Sequence, residues 1–183
     1  MWKWYKFDTN GKKLIWFEIR CSFHVSLYFT VCEDNELYKV YWRYALNNTE
    51  QRKLFEELRS VEVSSFDELI ETKEYKETLK KYSPIYSAVL NESQKNIIDT
   101  FLKNGIDKDV HEPYGRDGHS YFIEMYYPEY RKYHCWCILP EEWDILADVI
   151  NILVGVSEAD FQRYGAKIYK KNFISPLDKS EIM

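Results

Sequence analysis

Hydrophobic and polar residues alternate over three consecutive stretches near the N-terminus. Residues 14–21, 23–32 and 37–44 place apolar side chains at every second position, which is the spacing of a β-strand with one buried face. A polar turn from Glu33 to Glu36 separates the last two stretches. Because short turns between alternating strands are typical of an antiparallel meander, we predict three neighbouring antiparallel strands here.

A second pair of strands is predicted in the C-terminal half. Residues 121–127 and 132–138 alternate around a turn at 128–131, and both faces of this hairpin carry aromatic or apolar side chains. We therefore expect both of its faces to be covered. A wide apolar stripe follows in residues 140–154, which predicts a central helix that begins at Pro140 and stops at Gly155.

The middle of the chain has the pattern of helices. Three pairs of residues spaced by three predict helix starts of the capping-box type: Asn48 with Gln51, Ser65 with Glu68, and Asn91 with Gln94. Ser83-Pro84 is expected to interrupt the second helix, which runs to Lys81, and Gly105 to end the third. A last amphipathic helix is predicted over residues 157–171.

These elements predict an α+β fold, an antiparallel β-sheet of about five to six strands with helices packed on it. At 183 residues the chain suits one domain. We expect residues 1–174 to form it and residues 175–183 to be a flexible C-terminal tail.

Composition narrows the range of functions. The formal net charge of −5 disfavours nucleic acid as a partner, because binding to the phosphate backbone is driven by Lys and Arg. Aromatic residues make up 17% of the chain, with 16 Tyr and 6 Trp. Since Tyr and Trp combine a large apolar area with a polar group, they are favoured both in cores and at protein interfaces. Another protein is therefore the expected partner.

The four cysteines fall within predicted strands, and we expect them to be buried, reduced thiols that bind no metal: Cys21, Cys32, Cys135 and Cys137. The N-terminus has no apolar run of signal-peptide length, and no uncharged stretch is long enough to span a membrane. A cytoplasmic protein is the resulting expectation. The bias toward Lys, Asn, Ile, Tyr and Glu is typical of an AT-rich genome and indicates a bacterial source.

A polar loop before the predicted hairpin is the place where chemistry is most plausible. It contains His111, Glu112, Asp117 and His119, which are side chains able to act as acids, bases or metal ligands if the loop folds back on itself. Their spacing matches no known catalytic or metal-binding motif, and Asp117-Gly118 is also ordinary turn chemistry. We expect neither a metal nor another cofactor.

Three hypotheses for function remain. We favour a non-catalytic intracellular protein-binding module, such as an inhibitor or immunity-type protein, that acts through an acidic, aromatic-rich surface. The first alternative is a hydrolase-like enzyme that uses the loop from His111 to His119. The second is a nucleic-acid accessory protein that uses basic residues near the two ends: Lys3, Lys6, Lys12, Lys13, Arg163, Lys167, Lys170 and Lys171. For the favoured hypothesis the predicted contact residues surround the second hairpin: Tyr114, Tyr127, Glu129 and Tyr130.

Overall fold

The structure is a computed structural model that describes residues 5, 7–21, 26–105, 119–136 and 144–163. The described part contains a six-stranded antiparallel sheet and five helices, which confirms the predicted α+β class. The strands are β1 (Lys12–Cys21), β2 (Leu27–Asp34), β3 (Leu37–Tyr44), β4 (Tyr86–Val89), β5 (His119–Met125) and β6 (Arg131–Trp136). The helices are α1 (Asn48–Glu57), α2 (Phe66–Glu71), α3 (Lys73–Tyr82), α4 (Glu92–Asn104) and α5 (Asp144–Arg163).

The strands follow one another across the sheet in the order β4-β3-β2-β1-β5-β6. The predicted meander of β1, β2 and β3 and the predicted hairpin of β5 and β6 are both confirmed. The two units join along β1, whose other edge pairs with β5 from Ile15↔Met125 to Cys21↔His119. Therefore β1 lies inside the sheet, with a strand on each side.

One face of the sheet is covered by α4 and α5 and is called the α4–α5 face. The alternating apolar residues of β1 to β3 and β5 point to it, among them Phe17, Phe29 and Val40, which are each fully buried. Ile98 and Phe101 of α4 pack against them, as do Leu146, Val149, Ile150 and Leu153 of α5. This arrangement confirms that the predicted central helix packs in the core.

The opposite face is covered by α1, α2 and α3 together with Tyr5 and Phe7, and is called the α1–α3 face. Tyr28 and Trp16 stack there with ring centroids 6.0 Å apart, and Tyr5 stacks on Tyr28 at 4.6 Å. Leu54 and Leu79 supply apolar contacts from the helices. Both faces of the sheet therefore carry a hydrophobic core.

Two tight turns depend on left-handed backbone conformations. Asn35 and Glu36, which connect β2 to β3, have φ angles of 50° and 67°. Gly11, which precedes β1, has a φ of +90°, and a Cβ atom there would lie 2.4 Å from the carbonyl oxygen of Glu33. Glycine is thus required at position 11 both by conformation and by space. The Tyr127-Pro128 peptide bond in the β5–β6 turn is cis.

The helix starts were predicted with mixed success. Ser65 and Asn91 cap α2 and α4 as expected, and Gly105 follows the end of α4. Asn91 forms the predicted capping box with Gln94, whereas the Glu68 side chain accepts from the Ser64 backbone and not from that of Ser65. The first start was wrong by one residue, since Asn47 is the N-cap and forms its capping box with Glu50. Thr72 caps a separate helix, so the predicted single segment from Ser65 to Lys81 is divided into α2 and α3.

Two further predictions are corrected by the structure. Helix α5 does not stop at Gly155 but continues to Arg163, because Val154 and Val156 on either side still pack against the core. Strand β4 was not predicted; it is only four residues long and follows Pro84 closely. The predicted start of the central helix at Pro140 and the predicted tail at 175–183 lie outside the described residues, and the domain limits stay a prediction.

A candidate interaction surface at one end of the sheet

The turn between β5 and β6 presents tyrosine rings to solvent. Tyr127 and Tyr130 keep 46% and 56% of their surface exposed, whereas the side chain of Met125, the last residue of β5, is fully buried. The alternation that buries one face of the strand ends at Met125, and neither core cluster includes Tyr127 or Tyr130. An exposed tyrosine ring leaves a large apolar area in contact with water, which is the area that protein interfaces bury.

A buried carboxylate beneath the turn binds Tyr130 and the neighbouring Tyr126. Glu124 is 3% exposed and accepts hydrogen bonds from the Tyr126 hydroxyl at 2.5 Å and the Tyr130 hydroxyl at 3.4 Å. The ring centroids of Tyr126 and Tyr130 are 5.8 Å apart. Burial, followed by the hydrogen bond to Glu124, raises the pKa of Tyr126. The turn is therefore anchored by contacts between side chains as well as by the strands.

The first residue of β1 supports the other exposed ring. The Lys12 ammonium lies 3.4 Å from the ring centroid of Tyr127 and 3.9 Å from a carboxylate oxygen of Glu33. A cation over a tyrosine ring at an exposed site contributes about 0.5–1 kcal/mol. Tyr127 is thus tied to β1 and, through Glu33, to β2.

Two aliphatic side chains extend the same end of the sheet. Leu37 begins β3 and is 50% exposed, and Val89 ends β4 and is 53% exposed. The pairings Lys39↔Val89, Asp34↔Leu37, Lys12↔Glu33 and Met125↔Arg131 place them at the end of the sheet that carries the β5–β6 turn. Among the described residues, all four exposed large hydrophobic side chains lie there. Leu37, Val89, Tyr127 and Tyr130 are called the sheet-end surface.

Helix α4 is fastened to this end through Tyr38. The Tyr38 hydroxyl donates to Asp99 of α4 at 2.5 Å, and the Lys95 ammonium lies 5.2 Å from the Tyr38 ring centroid. Burial, the hydrogen bond to Asp99 and nearby acidic groups, with Tyr127 as the weakest contributor, raise the pKa of Tyr38. These contacts join α4 to the start of β3, next to the exposed Leu37.

Three of the four predicted contact residues are found together at this end. Tyr127, Glu129 and Tyr130 all belong to the β5–β6 turn, and Glu129 accepts a hydrogen bond of 2.7 Å from the Arg131 Nε. Tyr114 lies outside the described residues, as do His111, Glu112 and Asp117 of the predicted polar loop. The backbone of His119 begins β5, but its side chain is outside the described part.

Sequence reasoning missed Leu37, Val89 and Glu124, and it considered Lys12 only as one of the basic residues near the chain ends. Leu37, Val89 and Lys12 come from three different strands, and only the register between the strands brings them to one end. Glu124 had a visible signal, since it is a carboxylate within the stretch 121–127, whose other residues are all apolar or aromatic. In an alternating strand, however, a single acid is normally interpreted as solvent-exposed.

The cysteines lie in strands as expected wherever they are described. Cys32 on β2 is buried and free, and its sulfur is 2.9 Å from the Thr9 hydroxyl. Burial raises the pKa of this thiol. The side chains of Cys21 and Cys135, and all of Cys137, are outside the described part.

Among the residues that the structure describes, no group of three or more His, Cys, Asp or Glu side chains is arranged to hold a metal ion. None of the described helices combines the length and the apolar character needed to cross a membrane.

The fold and this surface define the class of the protein: an antiparallel α+β protein with helices on both sheet faces and an exposed, tyrosine-rich sheet end. No family model, curated protein or solved structure matches the chain.

Proposed function

We propose that this protein is a non-catalytic protein-binding module, of the inhibitor or immunity type, and that the sheet-end surface contacts its partner. The observation that carries the proposal is the position of the exposed large hydrophobic side chains. In the described part of the chain they are Leu37, Val89, Tyr127 and Tyr130, and they all lie at one end of the sheet. Exposed apolar residues scattered singly are ordinary, but several at one site mark an interaction surface.

The way the tyrosines are held supports the same function. Tyrosine is enriched among the residues that dominate binding energy at interfaces. Glu124 and Lys12 already restrain Tyr130 and Tyr127 in the free protein, so less side-chain entropy is lost when a partner covers them. This end is therefore suited to tight binding without rearrangement.

The charges at this end indicate what the partner offers. Lys12 pairs with Glu33, and Lys39 pairs with Asp34 at 2.6 Å, so these charges are neutralised locally. Glu36, by contrast, is exposed at the tip of the β2–β3 turn. We expect the partner to provide apolar pockets for the rings, with Lys or Arg placed to meet the acidic groups of the turns.

A double substitution tests the surface. Tyr127→Ala with Tyr130→Ala removes both exposed rings, and the lost contacts should weaken partner binding by about 100-fold or more. The measurement is affinity capture from the native cell with quantitative mass spectrometry, followed by a titration of the purified partner. A photo-crosslinking residue at position 130 would show direct contact.

The matched control is Lys73→Ala with Glu77→Ala on the exposed side of α3, where the two side chains form an ion pair of 3.6 Å. This variant should retain the partner, because neither side chain belongs to the sheet-end surface. If both double variants capture the same partner with equal affinity, the sheet-end surface is not the interface. A partner enzyme whose activity falls at a one-to-one ratio with the wild-type protein would support the inhibitor type.

A further inference from the structure

An arginine is buried on the α1–α3 face, and no carboxylate of the described residues forms an ion pair with it. Arg43 of β3 is 2% exposed, and its Nε has no hydrogen-bond partner among the described residues. Its guanidinium carbon is 5.2 Å from the ring centroid of Phe7. Arginine is rarely buried this deeply unless it is paired, because removing its charge from water is costly.

The described groups that act on Arg43 do not neutralise its positive charge. Burial lowers its pKa to about 10, and the groups that act against this effect are the hydroxyls of Tyr75 and Tyr5. The side chain is therefore still protonated at neutral pH. A positive charge of this kind is stabilised when an anion lies beside it.

A cavity of about 300 Å³ adjoins Arg43, between the sheet and helices α2 and α3. Ile70 and Leu79 form apolar parts of its wall, and Tyr75 lines it beside Arg43. Its size is at the lower end of the range for small-molecule sites, which is about 300–1,000 Å³. The cavity is therefore large enough for a small metabolite.

The charged side chains around the cavity are mainly basic. Besides Arg43 they include Lys13, Lys76 and Lys80, against the two acids Asp8 and Glu71. Glu71 is already paired with Lys76 at 3.2 Å. This local excess of positive charge occurs in a protein whose net charge is −5. A concave site lined by one sign of charge concentrates small ions of the opposite sign.

We propose that this cavity binds a small organic anion with one carboxylate or phosphate group, which meets Arg43 while its apolar part lies against Ile70 and Leu79. The planar guanidinium presents donors that match either oxyanion with two parallel hydrogen bonds. The depth of Arg43 favours a small molecule over the surface of a folded partner, whose side chains would have to enter the cavity. The cavity lining and the sheet-end surface have no residue in common, and the proposal does not depend on the protein-binding function.

Three small probes of similar shape test the proposal: benzoate, phenyl phosphate and neutral benzyl alcohol. We expect at least one of the two anions to bind saturably in calorimetry at constant ionic strength and to raise the melting temperature. Benzyl alcohol should do neither. The anion that binds more tightly identifies the charged group of the ligand. Absence of saturable binding for both anions, or equal binding of benzyl alcohol, would overturn the proposal.

Substitutions locate the bound anion. Arg43→Met keeps an unbranched side chain without the charge and should weaken binding of the anionic probe by at least about tenfold. It should not lower the melting temperature of the protein without the probe, because the buried, unpaired charge is removed. Lys80→Ala should weaken binding by about threefold, since this side chain contributes only to the field around the cavity.

Arg52→Met serves as the matched control, because Arg52 is an exposed arginine of α1 that does not line the cavity. It should bind the probe as tightly as the wild type does. Unchanged probe binding by Arg43→Met would show that the anion binds elsewhere. A large fall in the melting temperature of that variant without the probe would show that Arg43 has a structural role.

Discussion

The two faces of the sheet are built from the same strands but differ in what they bury. The α4–α5 face is apolar, with Phe17, Phe29 and Val40 fully buried. In the described part of the chain, the three buried charged residues of the sheet all point to the α1–α3 face: Glu18, Arg43 and Glu124. One face is an ordinary hydrophobic core, and the other combines aromatic stacking with buried charge.

This difference indicates a division of roles between the faces. An apolar face stabilises the fold by removing hydrocarbon from water and needs no specific partner for each atom. A buried charge lowers stability unless a definite group meets it. Glu18 meets Arg20, and Glu124 meets the turn tyrosines, whereas Arg43 faces a cavity. Both proposed binding sites therefore depend on the α1–α3 face.

The largest expected effect comes from breaking the apolar face. Phe17 is fully buried, and its ring centroid lies 6.4 Å from that of Phe29 and 6.3 Å from that of Tyr121. Phe17→Ala should lower the free energy of unfolding by about 3–5 kcal/mol, because it removes the ring and leaves a cavity. Urea denaturation measures the change. A loss below about 1 kcal/mol would mean that this face is not tightly packed.

A smaller effect is expected from removing a buried charge on the other face. Glu18 is fully buried, and its two oxygens accept from the Arg20 Nε at 2.6 Å and Nη2 at 3.3 Å. Glu18→Gln keeps the shape but removes the charge, so the free energy of unfolding should fall by about 2 kcal/mol. A thermodynamic cycle with Arg20→Gln would give the coupling energy, and a value near zero would contradict the ion pair.

The smallest effect concerns the buried tyrosines of the α1–α3 face and appears only at high pH. Burial raises the pKa of Tyr5, Tyr28 and Tyr75, so these hydroxyls stay protonated in the folded protein after they ionise in the unfolded chain. The contribution to stability is therefore complete below about pH 10 and is lost as the pH rises above it.

Tyr75→Phe removes one of these groups with little change in shape. The variant should match the wild type at pH 7 and retain about 1 kcal/mol more stability at pH 11. Urea denaturation at the two pH values measures this difference. An equal loss in both proteins would show that the Tyr75 hydroxyl ionises normally in the fold.

Much of the fold could be predicted because it follows from local patterns. The alternation in β1, β2 and β3 and the caps at Ser65 and Asn91 are features of a few neighbouring residues, and all were recognised. Strand β4 was missed because four residues carry too little periodicity, and it forms only by pairing with β3. Gly155 was taken as a stop because the burial that carries α5 past it is a tertiary effect.

The candidate sites were predicted less completely, because they depend on which strands are neighbours. The β5–β6 turn was predicted as a contact site from its aromatic-rich sequence, and this role stays a prediction, whereas Leu37 and Val89 join it only through the strand register. Arg43 shares one face of β3 with Lys39 and Tyr41. Polar side chains at every second position are typical of a solvent-exposed face. Helix α3 covers that face, so a residue that the local pattern exposes is buried.

The position of β1 also has a consequence for the order of folding. Its pairing with β2 joins neighbours in the chain, whereas its pairing with β5 joins Cys21 to His119. Closing a loop of about 100 residues costs entropy that a local hairpin does not, so we expect the meander to form first and the β5–β6 hairpin to dock later. The sheet-end surface takes residues from both units, and it is therefore complete only in molecules that have finished folding.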